Sequence, residues 1–211
     1  MTATRRVAAF DFDGTLTPKD TLVPFLTHLY GQRRLLAAAA KVGPPWRLEA
    51  ELHRRDQAKA QLLRRLTAGD RAARVAAAGE AYALRLERIL VPAMVRRIGE
   101  HRAAGHEVVA VSASLTAYLV PLLERRLGFD GVMAVELAEG PDGLLTGEMA
   151  RPNVRGPEKA VRLREWLDAT GGGEVELWAY GNSSGDAELL AMADHGALLA
   201  GRGRPALPPV T

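Results

Sequence analysis

The 211-residue sequence contains no cysteine. Disulfide bridges and thiolate metal sites are therefore excluded, and nothing indicates an oxidising, extracellular environment. The longest apolar stretches, LLAAAAKV and ILVPAMV, are far shorter than the roughly 20 residues that a membrane-spanning helix needs. The first apolar run is too short for a secretory signal and meets Asp11 at once. We therefore expect a cytoplasmic protein with no stable membrane association.

Lysine is also rare, so arginine supplies nearly all of the positive charge. The net charge is only +3 and no run of five basic residues occurs, which argues against nucleic acid as a partner. Charged residues make up 25% and hydrophobic residues 47%, which is ordinary for a globular protein with a sizeable core. The length suits one domain, or one domain that carries an insertion.

Five short apolar segments rich in Val or Leu are typical of strands that are covered on both faces. They are residues 5–12, 106–113, 131–137, 174–180 and 196–200. Helical patterns lie between them at 91–104, 116–127, 157–169 and 185–193. This alternation predicts an α/β fold with a mostly parallel sheet. Residues 139–149 also predict a β-hairpin with Asp142 and Gly143 at its turn.

The segment between the first strand and the remaining ones has a different character. It is dense in Ala, Leu and Arg, and predicts three amphipathic helices separated by the GPP and AGD sequences. We therefore expect a core domain formed by residues 1–17 and 89–211, with an all-helical domain of residues 18–88 inserted into it. Trp46, which follows GPP, could shape a loop of the insertion over the site.

Polar side chains gather where the predicted strands end. They are Asp11 and Asp13 after the first strand, Ser112 and Ser114 after the second, Lys159 at a helix start, and Asn182 and Asp186 after the fourth strand. In an open parallel sheet, ligands bind outside the carboxyl ends of the strands. We therefore expect these groups to converge on one site.

This combination of groups suits phosphoryl chemistry. Two neighbouring carboxylates bind Mg²⁺ through hard oxygen atoms. One carboxylate can attack phosphorus, and the other can transfer protons to and from the reacting oxygens. A hydroxyl and an ammonium group can neutralise the phosphoryl charge. Gly14 and Thr15 are small enough to let backbone N–H groups approach a phosphate.

The segments DFDGT and VSAS, a later isolated lysine and GNSSGD resemble the four motifs of the haloacid dehalogenase (HAD) superfamily of aspartate-nucleophile hydrolases. They occur in the family's order and spacing, from residue 7 to about 190. The helical insertion is similar to the C1-type cap of the phosphoserine-phosphatase-like branch, subfamily IB. The resemblance implies a Rossmann-like core under a helical cap. It also implies Mg²⁺-dependent hydrolysis of a small phosphate monoester, phosphoserine-like or another metabolite phosphate, through an aspartyl phosphate.

The resemblance also implies residue roles. Asp11 would be the nucleophile and a metal ligand, and Asp13 the acid and base, with its carbonyl on the metal. Ser112 would bind the phosphoryl group, and Lys159 would stabilise Asp11 and the phosphoryl charge. Asn182 and Asp186 occupy the positions of metal-side carboxylates. The second aspartate of the first motif is typical of phosphatases, because true dehalogenases lack it.

Two positions depart from the family pattern. Asn182 stands where an aspartate is common, which removes one negative charge from the metal site. Either the metal binds less tightly, or Asp186 contributes more to its binding. Ala113 follows Ser112 where phosphoserine phosphatases often have glycine, which argues against strict phosphoserine specificity.

The insertion offers three candidate substrate-binding residues. Asp20 could bind a substrate amine or hydroxyl, or it could cap the first helix. Arg55 and Lys59 lie four residues apart on one helix face and could bind a substrate carboxylate or second phosphate. A solvated basic face is the simpler alternative for this pair. The five histidines show no metal-ligand spacing and are expected to be structural or at the surface.

The expected partner is a small phosphorylated metabolite, and the expected state is a monomer or homodimer. Three other functions stay open. A lipid-phosphate phosphatase would need an apolar cap entrance, which LVPFLTHLY and LLAAAA could form. A phosphotransferase would use the same aspartyl phosphate. A non-catalytic phosphate-binding protein would have lost its metal through Asn182.

Overall fold

The computed structural model describes residues 4–42, 52–199 and 207–211, and Trp46 lies outside them. The described strands are β1 (Arg5–Phe10), β2 (Glu107–Leu115), β3 (Gly131–Val135), β4 (Leu137–Glu139), β5 (Leu145–Met149), β6 (Val175–Gly181) and β7 (His195–Leu198). Five of them form a parallel sheet in the order β3-β2-β1-β6-β7. The predicted α/β fold with a mostly parallel sheet is therefore confirmed.

The centre of this sheet determines where a ligand can bind. β1 lies between β2 and β6, and its residues Val7, Ala8, Ala9 and Phe10 are fully buried. The strands on one side of β1 are β2 and β3, which come next in the sheet's chain order. The strands on its other side are β6 and β7, which come last in the chain. The strand order therefore reverses beside β1, and such a point is where open α/β sheets bind ligands.

The described helices are α1 (Leu22–Tyr30), α2 (Gln32–Val42), α3 (Leu52–Thr67), α4 (Ala72–Glu87), α5 (Pro92–Ala103), α6 (Thr116–Val120), α7 (Pro157–Ala169) and α8 (Ala187–Met192). Helices α1 to α4 form the predicted all-helical insertion between β1 and α5. The chain leaves the sheet and returns at one place, where Val91 N donates to Leu16 O over 2.8 Å. The predicted domain boundaries at 17/18 and 88/89 remain a prediction.

Two predicted helices differ in detail. The first amphipathic pattern predicts one helix, but Gly31 ends α1 and separates it from α2. Gly31 adopts a φ of 79°, which a helix cannot accommodate and which glycine adopts without strain. The pattern over 116–127 continues beyond α6 as a π-helical segment, Pro121–Arg126. Pro121 has no N–H to continue the α-helical ladder, so the hydrogen bonding changes there.

The predicted hairpin is present as the antiparallel pair β4–β5, with Gly143 at φ 76° in the turn. The first residue of β5 is hydrogen-bonded to the loop between α3 and α4. Gly69 N donates to Leu145 O and Leu145 N donates to Asp70 O, each over 2.8 Å. The hairpin therefore connects the insertion to the sheet domain.

Among the described residues, no helix is both long and apolar enough to cross a membrane.

Candidate active site

A cavity of about 270 Å³ lies at the carboxyl end of β1, between the sheet and α3. Asp11, Asp13 and Ser112 line its sheet side, and Arg55 and Lys59 line its helical side. Lys159, Asn182 and Asp186 also reach it, so the predicted convergence of strand-end groups is present in the structure. Two apolar side chains, Leu22 and Ala113, complete a lining that is otherwise polar or charged apart from Gly185.

A buried ion triad forms the floor of the site. Lys159 Nζ donates to Asp11 Oδ1 over 2.6 Å and to Asp186 Oδ1 over 2.5 Å. The exposed fractions of the three residues are 2% for Lys159, 6% for Asp11 and 2% for Asp186. Charges this deeply buried are tolerated when they are paired and hydrogen-bonded. The triad therefore holds Asp11 in one orientation.

Burial and pairing oppose each other within this triad. Burial disfavours the charge of Lys159, but Asp11 and Asp186 outweigh it and raise the lysine pKa. Burial also disfavours the charge of Asp186, but Lys159 and the Ser183 and Asn182 N–H groups lower its pKa. For Asp11, burial dominates and raises the pKa, while Lys159 opposes that rise. The ammonium group therefore stays charged and supports both carboxylates.

Thr15 and Gly14 shape the site from below the cavity. Thr15 Oγ1 donates to Asp11 Oδ2 over 3.0 Å, which fixes the second oxygen of that carboxylate. Gly14 has a φ of 82°, and a Cβ there would lie 1.9 Å from an amide atom of Asn182. Both residues were expected to contact a phosphate, but neither belongs to the described lining of the cavity. Their contacts instead position Asp11 and make room for Asn182.

Asp13 is held by two hydroxyl groups. Thr21 Oγ1 donates to Asp13 Oδ1 over 2.7 Å, and Ser114 Oγ donates to Asp13 Oδ2 over 2.5 Å. Burial raises the pKa of Asp13 to about 6, although these two hydrogen bonds oppose the rise. A carboxyl with such a pKa is suited to proton transfer near neutral pH. The sequence did not identify Thr21, because nothing in it links this residue to the strand ends.

Oxygen-bearing groups of Asp11, Asp13 and Asn182 lie close together at the end of β1. One terminal atom of the Asn182 amide lies 3.2 Å from the Asp13 carbonyl oxygen and 3.3 Å from Asp11 Oδ2. With its nitrogen in that place, the amide donates to both oxygens. With its oxygen there, three hard donors face one another. Neighbouring ligands of an octahedral Mg²⁺ lie about 2.9 Å apart, so this set fits the ion that was predicted.

This candidate metal site draws on three different kinds of oxygen. It combines one carboxylate, one backbone carbonyl and one amide. In the described part of the chain, no three His, Asp or Glu side chains are grouped as a metal site. A cation at the oxygen cluster would therefore depend on Asp11 for most of the charge.

The contacts of Asp186 differ from those expected of a metal ligand. Its Oδ1 accepts from Lys159, and its Oδ2 accepts from Asn182 N, Ser183 N and Ser183 Oγ over 2.9–3.0 Å. Ser183 and Asp186 form a capping box at the short 3₁₀ turn Ser184–Asp186. Both oxygens thus accept from hydrogen-bond donors, so Asp186 orders Lys159 and the loop that carries Asn182.

Lys59 connects the helical insertion to the sheet. Its Nζ donates to the Ala113 carbonyl and, over 2.6 Å, to Asn153 Oδ1. Asn153 Nδ2 in turn donates to Asp56 Oδ1 over 2.6 Å. Burial lowers the pKa of Lys59 to about 8, although Asp56, Asp13 and Asp20 oppose this. The solvated basic face considered for Lys59 is therefore wrong, because its ammonium group is enclosed by these partners.

The other two candidates on the insertion have different surroundings. Asp20 Oδ1 accepts from Val23 N over 3.1 Å, which caps the first turn of α1, and the residue also lines the cavity. Both alternatives considered for Asp20 thus remain compatible with its position. Arg55 is exposed and lines the same cavity. Asn153 was not identified from the sequence, because its loop carries no motif.

Two histidines, His101 and His106, are buried and do not belong to the described lining of the cavity. His101 Nε2 lies 2.8 Å from Tyr180 Oη, and His101 Nδ1 lies 2.9 Å from His106 Nδ1. Burial, with Arg97 and His106 nearby, lowers the pKa of His101 to about 3. Asp11 N donates to the Tyr180 carbonyl oxygen over 2.8 Å. His101, His106 and Tyr180 thus form a buried hydrogen-bonded cluster beside β1.

The sequence profile of the haloacid dehalogenase-like hydrolases matches residues 8–191 of this chain. The chain belongs to this family, which confirms the prediction that it is a HAD hydrolase. The chain is 34% identical over 202 residues to Protein CicA from Caulobacter vibrioides, covering 95% of this chain and 88% of CicA.

Solved structures share the architecture. A Bordetella pertussis protein of unknown function is 26% identical, with a TM-score of 0.75, over 93% of this chain and 90% of that one. A phosphoserine phosphatase, solved as an analogue of its phospho-aspartyl intermediate, has a TM-score of 0.62 at 19% identity, over 93% of this chain and 88% of that one. The latter similarity shows the common fold, a Rossmann-like core with a helical cap.

Proposed function

We propose that this protein is a Mg²⁺-dependent phosphatase that hydrolyses a small, hydrophilic phosphate monoester through an aspartyl phosphate. The observation that carries the proposal is the buried Asp11 carboxylate, fixed by Lys159 at 2.6 Å and Thr15 at 3.0 Å, with Asp13 two residues along the chain. A carboxylate so oriented is prepared for nucleophilic attack without rearrangement.

In the first step, a carboxylate oxygen of Asp11 attacks phosphorus and the bond from phosphorus to the ester oxygen breaks. Asp13 in its protonated form gives its proton to that oxygen, which leaves as an alcohol. The Ser112 hydroxyl and the Lys159 ammonium group stabilise the phosphoryl oxygens during transfer. Lys159 suits this role because an ammonium group is a compact charge with three donors, two of which hold the carboxylates.

In the second step, Asp13 as a carboxylate accepts a proton from water, which attacks the phosphorus of the aspartyl phosphate. Inorganic phosphate leaves and Asp11 is regenerated. The pKa of Asp13, about 6, lets the same group act first as acid and then as base near neutral pH. Thr21 and Ser114 keep both oxygens of this carboxyl in place.

Asp11, the Asp13 carbonyl and Asn182 would hold the Mg²⁺. When bound, the ion neutralises part of the phosphoryl charge and supports in-line geometry. Asp186 supports this arrangement indirectly, by holding Lys159 and the N–H groups of residues 182 and 183.

The cavity favours a small, polar substrate. Its volume of about 270 Å³ is below the usual range for drug-sized ligands. A lipid phosphate would need an apolar entrance. The two apolar helical stretches that could form it, LVPFLTHLY and LLAAAA, contribute only Leu22 to the cavity lining. Asp20, Arg55 and Lys59 add charge of both signs, which suits a substrate with further polar groups. The similarity in fold to phosphoserine phosphatases is in keeping with such a substrate.

The test is phosphate release from a panel of monoesters, with Mg²⁺ and with chelator, using Asp11→Asn as the blank. The panel includes phosphoserine, other amino-alcohol phosphates, sugar phosphates, nucleotides and a lysophospholipid phosphate. We expect Mg²⁺-dependent release from one small, hydrophilic class and none from Asp11→Asn, whose fold should persist. Turnover by Asp11→Asn would refute the mechanism.

Two other outcomes would redirect the proposal. Transfer of the phosphoryl group to added glycerol would identify a phosphotransferase. A folded protein with neither turnover nor Mg²⁺ binding would identify a non-catalytic binding protein. The cytoplasmic location and the monomeric or homodimeric state remain predictions.

A further inference from the structure

The peptide unit between Ala113 and Ser114 is held at both of its polar groups, the carbonyl oxygen and the N–H. Its carbonyl oxygen accepts from Lys59 Nζ, which reaches it from α3 of the insertion. Its N–H donates to Ser112 Oγ over 3.0 Å. The C=O and N–H of a trans peptide are fixed in one plane and point in opposite directions. A group that orients the carbonyl therefore also orients the N–H.

The orientation of this peptide affects two groups of the proposed mechanism. Ser112 Oγ accepts from the Ser114 N–H, so the Ser112 hydroxyl hydrogen is left to donate into the cavity that it lines. Ser114 Oγ donates to Asp13 Oδ2 over 2.5 Å. One three-residue segment thus positions both the phosphoryl-binding hydroxyl and the acid–base carboxyl.

Lys59 is itself fixed by a second contact to the sheet domain. Its Nζ donates to Asn153 Oδ1, while Asn153 Nδ2 donates to Asp56 Oδ1, each over 2.6 Å. Asp56 and Lys59 lie three residues apart on α3 and are therefore neighbours on one face of the helix, where Asn153 contacts both. Hydrogen bonds from an ammonium group are stronger than those between neutral groups. This arrangement gives Lys59 one defined position over the Ala113 carbonyl.

We propose that Lys59 is a positioning residue that couples docking of the helical insertion to the alignment of Ser112 and Asp13. This inference rests on the proposed phosphatase function. When the insertion is docked, Lys59 holds the peptide between Ala113 and Ser114, and both side chains are aligned. When Lys59 is withdrawn, the carbonyl loses its charged partner and the orientation of the peptide is less tightly fixed.

The test compares Lys59→Met with Lys41→Met, which changes an exposed lysine on α2. Methionine keeps the length of the side chain and removes its donors. The substrates are phosphoserine and phosphoethanolamine, which differ in one carboxylate. We expect Lys59→Met to lower kcat for both substrates by about ten- to a hundredfold with little change in KM, because catalytic groups are misplaced. Lys41→Met should behave as the unmodified protein does.

A direct contact between Lys59 and the substrate carboxylate would give a different pattern. In that case Lys59→Met would raise KM for phosphoserine and leave phosphoethanolamine unaffected, which would overturn the positioning role. A second measurement concerns Ser114→Ala, which removes the hydroxyl that contacts Asp13. If Lys59 acts through this segment, the loss of kcat caused by Lys59→Met is smaller in the Ser114→Ala background. Fully additive losses would contradict the inference.

Hydrogen exchange supplies a measurement that needs no substrate. The Ser114 amide should exchange faster in Lys59→Met than in Lys41→Met, while amides in the centre of β2 keep their protection. Unchanged exchange at Ser114 would overturn the inference whatever the activity. If the unmodified protein hydrolyses no ester of the panel, the proposed function fails, and the exchange result alone decides whether Lys59 orients this peptide.

Discussion

Replacement of Lys159 by methionine is expected to destabilise the protein strongly and in a pH-dependent way. The ammonium group lies 2.6 Å from Asp11 Oδ1 and 2.5 Å from Asp186 Oδ1, and all three side chains are buried. Removing one partner from a buried ion pair costs about 3–5 kcal/mol, because the other charge is left uncompensated. Here two carboxylates lose the same partner, so we expect a loss of at least about 3 kcal/mol in the free energy of unfolding at pH 7.

The sign of the pH dependence follows from proton binding. In the unmodified protein Asp186 has a lowered pKa, so its contribution is present above its unfolded pKa and is lost as the pH falls. Without Lys159, burial and mutual repulsion raise the pKa of both carboxyls above their unfolded values. The folded variant then binds more protons than the unfolded chain, and it gains stability as the pH falls. The two stability curves should therefore converge toward acidic pH.

Urea denaturation at pH 7 and pH 5 measures this difference. Lys41→Met serves as the control, because substitution of an exposed lysine should change stability by no more than about 0.5 kcal/mol. A loss below about 1 kcal/mol for Lys159→Met would show that the triad is not the buried network described above. A loss of equal size at both pH values would show that the two carboxyls do not carry it.

Three further predictions concern the surroundings of the triad. Asn182→Asp should tighten Mg²⁺ by adding one charge to the oxygen cluster, and an unchanged midpoint when activity is titrated against Mg²⁺ would contradict this. Gly14→Ala should lower stability in urea by more than about 1 kcal/mol, because φ is positive and the Cβ would strike Asn182; an unaltered midpoint would count against it. Since the pKa of His101 is lowered to about 3, the unfolded chain binds the extra proton and stability should fall by up to about 1.4 kcal/mol between pH 6 and pH 5. In urea denaturation, His101→Gln should reduce the change of unfolding free energy between pH 6 and pH 5, whereas His28→Gln should not. The same change in both variants and in the unmodified protein would refute this prediction.

The part of the site that belongs to the sheet could be predicted because it depends on few assumptions. Short apolar segments locate β1, β2 and β6, and parallel pairing brings their carboxyl ends to one edge. Asp11, Ser112 and Asn182 are fixed relative to those ends, so they meet once the sheet forms. The ion triad follows the same logic, because Lys159 lies in the first turn of α7.

The contribution of the insertion could not be predicted in the same way. Whether Lys59 faces water or the Ala113 carbonyl depends on how α3 docks, and the amphipathic pattern of one helix does not specify its partner. Thr21 and Asn153 likewise gain their roles only from tertiary contacts with Asp13 and Lys59. The break at Gly31 was visible as a glycine, but helices tolerate single glycines, so the sequence alone did not require it.

Charge balance explains how an amide at residue 182 is compatible with the proposed chemistry. When Asp11, Asp13 and Asp186 are all ionised and Lys159 is charged, two negative charges remain at the end of β1. One divalent cation, held by Asp11, the Asp13 carbonyl and Asn182, would balance these two charges. An aspartate at 182 would bind the cation more tightly but would leave an extra negative charge facing the phosphate. Because Asp186 accepts from Lys159 and the loop instead of facing the oxygen cluster, it does not replace that charge. Compared with an aspartate at residue 182, Asn182 in the proposed metal site would give a lower affinity for the cation and a weaker repulsion of the phosphate.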